Sequence, residues 1–450
     1  MSPTRLPSTR GCRVARARTR RAAALLAALL ACLPVPAARG QEALPAADIA
    51  TLFPAETHAA GTEAGVTVLS RARPLYALRE VRLGLLEAAP RIDLGLSYDS
   101  DPTGLPHGAG GFVWHTAPSL TLGTGRGDDT IGIALGADDV RVPAVPAADR
   151  TDWTAAAGLR FGFGADRLTL DAAERALHED GSEIGALPTD RPLPYRIIAL
   201  RAGYRIGGAR LSLIPALGFA AWRYDAARLG GVSVAQAYRD RDVVQGEVTA
   251  RYALAPRRDL LLVLRGTQSH YVAPQPGAPS RDSTGFAALI GAEAGDGILH
   301  LRILAGWEQR DFIAAAYGTH AAPVAEAQAV WQPGGMTTVT ATLSRRIEDA
   351  AQEGVAGYTE TQAGLRVDRE VRRDLLVSVA AGMQRAAFTN GGGRETGTSF
   401  GASATWLLNR RMRITAAETV TALAGAASTA TSASGSVTRS VSLLTLGFGL

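Results

Sequence analysis

The chain has 450 residues, and 47 basic against 42 acidic side chains give it a formal net charge of +5. The first 40 residues contain eight arginines and no acidic residue, so the remaining 410 residues hold 39 basic and 42 acidic side chains, a net charge of −3. The basic character therefore belongs to the N-terminus, and the rest of the chain is not predicted to bind nucleic acid.

Residues 1–40 have the pattern of a secretory signal peptide. Arginines precede an apolar run from Ala22 to Leu33, and Ala38-Arg39-Gly40 offers small residues at a cleavage position. The run is far shorter than the ~20 residues of a membrane-spanning helix. We therefore predict export and cleavage near Gly40. A lipoprotein signal ending at Cys32 is the alternative, although Leu30 is bulky for that site.

The chain after the signal divides into two parts. Residues 41–89 are rich in Ala and Pro and only weakly patterned, and we interpret them as a periplasmic lead-in. In residues 90–450, runs of about ten residues alternate between apolar and polar side chains, which is the period of a strand with one apolar face. Eighteen such runs can be counted. No segment after residue 40 has the ~18 consecutive apolar residues of a helical span.

The connectors between these runs alternate strictly between short and long, with eight short and nine long. Outer-membrane barrels have short periplasmic turns and long extracellular loops in this order, whereas a sandwich has no reason to alternate. The predicted fold is therefore all-β: a transmembrane, antiparallel, up-and-down β-barrel of about 18 strands (16–18) in the bacterial outer membrane. The longest loops, residues 180–194, 226–240 and 423–438, are candidates for narrowing a pore.

The last run, Arg439–Leu450, is predicted to close the barrel. Leu444, Leu446, Phe448 and Leu450 share one face of an extended strand, as contact with outer-membrane lipid requires. Its backbone is expected to pair with the first strand around Ile92 to Tyr98. The stretch also resembles the C-terminal signal by which bacterial barrels are recognised, which implies the barrel-assembly machinery as a partner.

Charged side chains of both signs occupy the face opposite the apolar one. Because hydrated charges require water, and a barrel this wide cannot be filled by side chains, a water-filled lumen is predicted. The residues predicted to line the lumen are Arg91, Asp93, Glu247, Arg251, Arg265, His300, Arg302, Arg310, Arg346, Glu360, Arg366 and Asp368.

Several residues fit this pattern poorly. Glu174 and Glu418 fall in phase with apolar residues, so a bulge or a position above the hydrocarbon band is expected there. Pro118 and Pro215 fall inside strands, where bulges or strand ends are expected. Aromatic residues near strand ends suit girdles at the membrane interfaces: Tyr98, Trp114, Trp153, Trp222, Tyr224, Phe312 and Trp406.

No catalytic constellation is recognisable, so no catalytic residue, cofactor or metal is predicted. None of the seven histidines belongs to a Gly-x-Ser-x-Gly elbow or a His-Glu-x-x-His motif. Both cysteines, Cys12 and Cys32, lie in the signal, which leaves no thiolate ligand in the exported chain. Asp99-Ser100-Asp101 is interpreted as turn chemistry.

One family resemblance is visible. The segment from Asp93 to Pro102, Asp-Leu-Gly-Leu-Ser-Tyr-Asp-Ser-Asp-Pro, resembles the first strand of proteobacterial outer-membrane barrels known as putative β-barrel porins, although Ser97-Tyr98 replaces their Gly-Tyr pair. Further similar segments, within a resemblance that covers roughly residues 75–450, are Arg239–Asp242, Arg281–Phe286, Met336–Ala341 and Val367–Leu375. The resemblance implies an outer-membrane barrel without a defined substrate.

Three functions are compatible with this pattern. The first is a water-filled, porin-like channel for passive diffusion of small solutes. The alternative is an accessory barrel for export or assembly of a surface polysaccharide. An outer-membrane enzyme is a third class, for which the chain offers no constellation.

Overall fold

The computed structural model describes residues 49–53, 66–77, 80–104, 108–124, 129–275, 277–352, 354–389, 393–426 and 435–449. Within these ranges eighteen long antiparallel strands form one sheet. They are β1 (Leu86–Asp99), β2 (Gly111–Thr124), β3 (Thr130–Arg141), β4 (Arg150–Phe163), β5 (Asp166–Glu179), β6 (Leu193–Arg205), β7 (Leu211–Tyr224), β8 (Arg241–Ala255), β9 (Arg258–Tyr271), β10 (Ser283–Gly295), β11 (Leu299–Phe312), β12 (Thr319–Gly334), β13 (Thr337–Asp349), β14 (Gly357–Arg372), β15 (Leu375–Phe388), β16 (Arg394–Leu407), β17 (Met412–Ala426) and β18 (Gly435–Gly449).

The remaining elements are short. Val81–Leu83 pairs with the start of β1, and Ala227–Leu229 pairs with Val232–Val234 in a small hairpin. Single 3-10 turns occupy Ile49–Leu52, Pro146–Ala148 and Ala237–Arg239. No helix in the described ranges is both long and apolar enough to span a membrane.

The sheet closes on itself between the first and last strands. Ile92 pairs with Phe448, Leu94 with Leu446 and Leu96 with Leu444, in continuous register. Every strand therefore has a partner on both sides, which satisfies the backbone in lipid. This confirms the predicted eighteen-strand, up-and-down barrel and the predicted pairing of its last strand; Leu450 lies outside the described residues.

Alternate side chains point to opposite faces of this wall, as strand geometry requires. One face is apolar and exposed, for example at Leu96, Leu135, Leu200, Leu217, Val248, Ile290, Ile303, Val379 and Leu444. The other face carries buried polar and charged groups, for example Ser97, Asp171, Gln245, Glu293, Arg310 and Asp368. Arg265 on β9 meets Glu326 on β12 at 3.2 Å, three strands away, which only the concave face of a closed sheet permits. The charged face is therefore the inside.

The prolines inside strands cause no bulge, contrary to the sequence-based expectation. Pro118 and Pro215 are both in register, opposite Ile92 and Val248. Each lies where the ladder on its other side has no assigned pair: the β2–β3 ladder skips Pro118, and the β6–β7 ladder ends at Ala216. The missing N–H of proline therefore falls where no ladder bond is made.

The two acidic misfits also need no bulge. Glu174 and Glu418 point outward with the apolar side chains, in continuous register. Glu174 pairs with Arg196 at 3.3 Å, and Glu418 accepts a hydrogen bond from the Ser442 hydroxyl. Polar partners on the neighbouring strands therefore accommodate them.

Only some of the residues predicted to form aromatic girdles face outward, as a girdle requires. Tyr98, Trp114 and Trp406 point outward and are about half exposed. Trp222 and Phe312 are buried and face inward, as does Tyr224. They occupy the inner parity of their strands, which position near a strand end cannot reveal.

Candidate functional site: the barrel interior

The described inner face near the short turns carries a chain of ion pairs. Arg251 on β8 donates to Asp259 at 2.6 Å and approaches Glu293 at 3.5 Å, and His300 on β11 lies 3.7 Å from Glu293. Continuous register places these side chains on the concave face. Glu293 thus receives two basic partners, which compensates its burial.

Two further pairs continue this layer around the barrel. Arg366 donates to Asp368 at 2.8 Å, and Asp368 also accepts from the Ser378 hydroxyl at 2.6 Å. Arg413 bridges to Asp93 at 2.8 Å. Arg91 and Arg302 also face inward, because each is two residues away from an inward residue on the same strand, Asp93 and His300 respectively.

Midway along the strands, Arg265 is the central cation. It lies 2.9 Å from Glu247 on β8 and 3.2 Å from Glu326 on β12. Directly beside it, the inner face of β9–β12 is apolar, with a buried cluster of Leu261, Val263, Ala287, Leu289, Leu304 and Val324. The interior therefore alternates between charged and apolar zones.

Towards the long loops, charge pairs link separated strands. Asp349, at the end of β13, accepts a hydrogen bond from Arg310 at 2.9 Å and forms an ion pair with Arg241, whose Nε lies 3.1 Å away. Arg346 donates to Glu348 at 2.6 Å and to Glu360 at 2.9 Å. The twelve residues predicted to line a lumen thus all occupy strand positions that face the interior, and most of them take part in these layers.

Loop 180–192 folds into the barrel and is fixed at both sides of it. Arg439 on β18 holds Asp180 at 2.7 Å and Asp99 at 2.6 Å. Farther along the loop, the Gly185 N–H donates to Glu395 at 2.7 Å, and Ile184 packs against a buried cluster that includes Val355 and Phe388. Of the three loops predicted to narrow a pore, this one is placed inside; residues 427–434 of the third lie outside the described residues.

The loop after β13 also folds inward, and the sequence analysis missed it. The Arg281 guanidinium donates to the Ala350 carbonyl at 2.7 Å, and the Tyr238 hydroxyl donates to the Ala351 carbonyl at 2.8 Å. Tyr238 belongs to the second predicted loop, whose 3-10 turn therefore also faces inward. No feature of the sequence predicts this inward fold, because the loop is short and its contacts join residues that are far apart in sequence.

The wall opens locally to let this loop turn inward. The β12–β13 ladder ends at Ala325 and Arg345, although β12 continues to Thr319. The register would place Ile347 opposite Pro323, which has no N–H to donate. Instead, Ile347 bonds inward: its N–H donates to Glu308 at 3.4 Å, and its carbonyl accepts from Arg310 at 3.4 Å. The Arg345 side chain donates a hydrogen bond to the Pro323 carbonyl, with a distance of 2.9 Å between Nε and the oxygen.

Between the inward loops lies a cavity of about 90 Å³. Arg239 lies 4.0 Å above the ring of Tyr224 and donates to Glu179 at 3.0 Å, and Arg241 lies 4.7 Å from the ring of Trp222. Burial alone would lower the pKa of Arg239, but Glu179 together with Tyr224 and Tyr238 outweighs it, so the pKa is raised. Both guanidiniums are therefore fixed as cations on aromatic faces.

Two loop carboxyls in this region differ in charge state. Burial alone would raise the pKa of Asp180, but the Arg439 guanidinium, the Ser182 N–H and the charge of Arg150 together outweigh it, so the pKa is lowered. Glu183 has no such partner among the described ion pairs, and burial, followed by the neighbouring Asp180 and Glu179, raises its pKa well above the ordinary 4.5. Loop 180–192 thus carries one fixed anion and one protonatable group.

The N-terminal segment contributes to the interior as well. Ile49, Leu52 and Phe53 pack against inward residues of β4–β8, including Ile197 and Trp222. The interpretation of residues 41–89 as a periplasmic lead-in did not foresee this placement, because a five-residue stretch has no readable period. β1 also begins within that range, at Leu86.

Within the described residues no cluster of three or more His, Cys, Asp or Glu side chains is arranged to hold a metal ion. A closed wall with an apolar outside and an inside of charged layers defines a transmembrane β-barrel of the outer membrane. Residues 73–444 match the family model described as putative beta-barrel porin 2, and the chain belongs to that family.

Solved porins also resemble the chain at low identity. OccK1 (OpdK) of Pseudomonas aeruginosa is 14% identical, with 81% of this chain and 98% of that chain covered and a TM-score of 0.43. A BenF-like porin of Pseudomonas fluorescens Pf-5 is 13% identical, with 82% and 100% covered and a TM-score of 0.41. No curated protein matches the sequence significantly. Similarities this distant contribute nothing to the choice of a substrate.

Proposed function

We propose that the chain forms a porin-like, water-filled channel through which small solutes diffuse passively across the outer membrane. The observation that carries the proposal is the closed wall whose inner face carries partly exposed charges of both signs, such as Arg251, Glu326 and Arg366, because exposed charges inside a barrel require water. Membership of a porin family supports the same function. Nothing in the structure favours the alternative of polysaccharide export or assembly.

The solute path runs, in this proposal, past the twelve residues predicted from sequence. The layer around Glu293 and Arg251 lies at the short-turn mouth, and Arg265 lies midway. The layer around Arg310 and Arg346 lies beside the inward loops, so the narrowest part of the path is at the extracellular side. Since cations and anions alternate along the wall, we expect weak rather than strict charge selectivity.

Planar bilayer recording tests the channel function directly. Purified protein should give discrete conductance steps, and neutral solutes of increasing size should reduce the conductance until they are excluded. A matched heat-unfolded sample should give no steps. Assembled barrels that never conduct, including variants in which the interior segment around Ile49 is displaced, would rule the channel out.

Export and assembly complete the proposal. We propose that the signal is cleaved near Gly40, that the last strand is recognised by the barrel-assembly machinery, and that no catalytic or cofactor chemistry is involved. Mass spectrometry of the mature protein should give a first residue at Gln41. A mature chain that retains the basic leader would contradict the cleavage site.

A further inference from the structure

Residues 49–53 occupy an apolar seat on the inside of the barrel. Ile49, Leu52 and Phe53 are 1%, 0% and 6% exposed, although they belong to no strand. The seat is formed by inward residues of five consecutive strands: Ala156, Ala173, Ile197, Ala199, Ala220, Trp222 and Val243. An apolar patch on the inner wall of a water-filled barrel is unfavourable unless something covers it.

The fit at this seat is close and includes polar contacts. A Cβ atom on Gly218 would lie 3.2 Å from the Ile49 Cβ, tighter than ordinary contact, so glycine at this position lets the segment approach the wall. The Ile49 N–H donates to the Gln245 side chain at 3.1 Å, and Arg175 donates to the Leu52 carbonyl at 3.4 Å. The segment therefore has a defined orientation.

A second contact region lies at the short-turn end of the barrel. The Val68 N–H donates to the Thr338 hydroxyl at 2.9 Å, and both groups are buried. Arg73 lies 2.9 Å from Glu370 and also donates to the Val68 carbonyl, at 2.6 Å. These contacts attach residues 66–77 to β13 and β14, whereas residues 49–53 sit on β4–β8.

We propose that residues 49–53 and 66–77 form an intrinsic plug, and that release of Ile49–Phe53 from its seat widens the diffusion path. The anchor at Arg73 and Glu370 retains the segment, and the short apolar seat is the releasable part. This part is five residues long and lies outside the strand ladders, whereas each long barrel strand has 12 residues or more and pairs on both sides. Its contacts, which include the hydrogen bonds of Ile49 and Leu52 and three apolar side chains, are therefore confined to a short stretch. The inference rests on the proposed channel function, because a plug has meaning only in a conducting barrel.

A reversible disulfide at the seat tests the inference. Ile49→Cys combined with Gly218→Cys places two Cβ atoms 3.2 Å apart, slightly closer than the roughly 3.5–4.5 Å of natural disulfides, so a small outward shift of the segment allows the bond. The chain after residue 40 has no other cysteine. The oxidised protein should form the crosslink and conduct at the low level of the wild type. Reduction of the same sample should raise the conductance several-fold, because the uncrosslinked variant lacks the Ile49 side chain and carries a Cβ at position 218 that crowds the segment. Failure of the crosslink to form would overturn the placement of the segment.

A second pair of variants does not depend on cysteine chemistry. Ile49→Asp with Leu52→Asp puts charges into the apolar seat and should raise the conductance in the same way. As a control, Leu69→Asp adds a single negative charge at an exposed position of residues 66–77, outside the seat, and should leave the conductance unchanged. Heat-modifiable migration in a gel verifies that each barrel is assembled.

The outcomes separate the two proposals. Suppose that the wild type conducts, that reduction does not change the conductance of the crosslinked variant, and that the aspartate variant conducts like the wild type. The plug is then ruled out, and the channel function stands. If the wild type is silent and the released variants conduct, both proposals hold. If every assembled variant is silent, the channel function itself is wrong.

Discussion

Replacement of Arg439 by methionine should detach loop 180–192 and weaken the barrel seam at the same time. Arg439 lies on the closing strand, and its guanidinium donates across the seam to Asp99 at 2.6 Å and into the loop to Asp180 at 2.7 Å. Methionine fills similar space without charge. Two carboxylates would then be left without their shared cation.

The size of the effect follows from burial. The side chains of Arg439, Asp99 and Asp180 are 14%, 6% and 13% exposed, so water compensates little. Loss of one partner from a buried pair costs about 3–5 kcal/mol. Arg413 pairs with Asp93 at 2.8 Å with side chains 33% and 27% exposed, and the matched change Arg413→Met should cost about 1 kcal/mol or less.

Unfolding by denaturant in lipid vesicles, followed by tryptophan fluorescence, measures both losses of unfolding free energy. Asp180→Asn serves as the loop-only variant, since it leaves the Arg439–Asp99 contact across the seam. Because the pKa of Asp180 is lowered in the folded state, its contribution is present above its ordinary 3.8 and disappears as the pH falls through the lowered value. Equal losses for Arg439→Met and Arg413→Met would refute the reasoning.

Three further outcomes are expected. Deletion of residues 439–450 removes the strand that pairs with β1, so no heat-modifiable barrel should appear in gels, and a truncated barrel that still assembles would contradict the closure. The pKa of Glu183 is raised in the folded state, so its contribution to the inward loop is fully present below pH 4.5 and is lost as the pH rises through the raised value. Bilayer conductance should therefore increase with pH, and Glu183→Gln should remove this dependence. If the variant keeps the wild-type pH profile, Glu183 is not the group responsible. Arg302→Ala and Arg346→Ala should each move the reversal potential in a salt gradient towards cation selectivity, and a barrel whose reversal potential stays constant would show that these side chains do not face the solute path.

The strands could be predicted from sequence because lipid imposes a single rule on every one of them. Outward residues must be apolar, and alternation therefore reports each strand and its face. The pairing of Ile92 with Phe448 followed from the same rule, since an unpaired edge is not tolerated in hydrocarbon. Turn residues then gave the order of short and long connectors.

The interior could not be predicted to the same depth because its contacts are not periodic. Arg439 and Asp180 are 259 residues apart, and Ile49 and Gln245 are 196 apart. The inward loop at Ala350 has no length or composition that distinguishes it from an exposed loop. The alternation of side chains along the strand could have shown that Trp222 faces inward. The apolar inner residues beside it, such as Ile197, are explained only by their contact with residues 49–53.

The break beside Pro323 gives the wall unequal stiffness around its circumference. Along most of the described wall, opening a strand end means breaking consecutive ladder bonds, whereas between Pro323 and Ile347 side chains from inside already take the place of those bonds. A side-chain bond can yield without unzipping its neighbours. We therefore expect local opening of the wall to begin at the inward loop and the strand ends that carry it. The other seventeen strand pairings should stay closed during this motion.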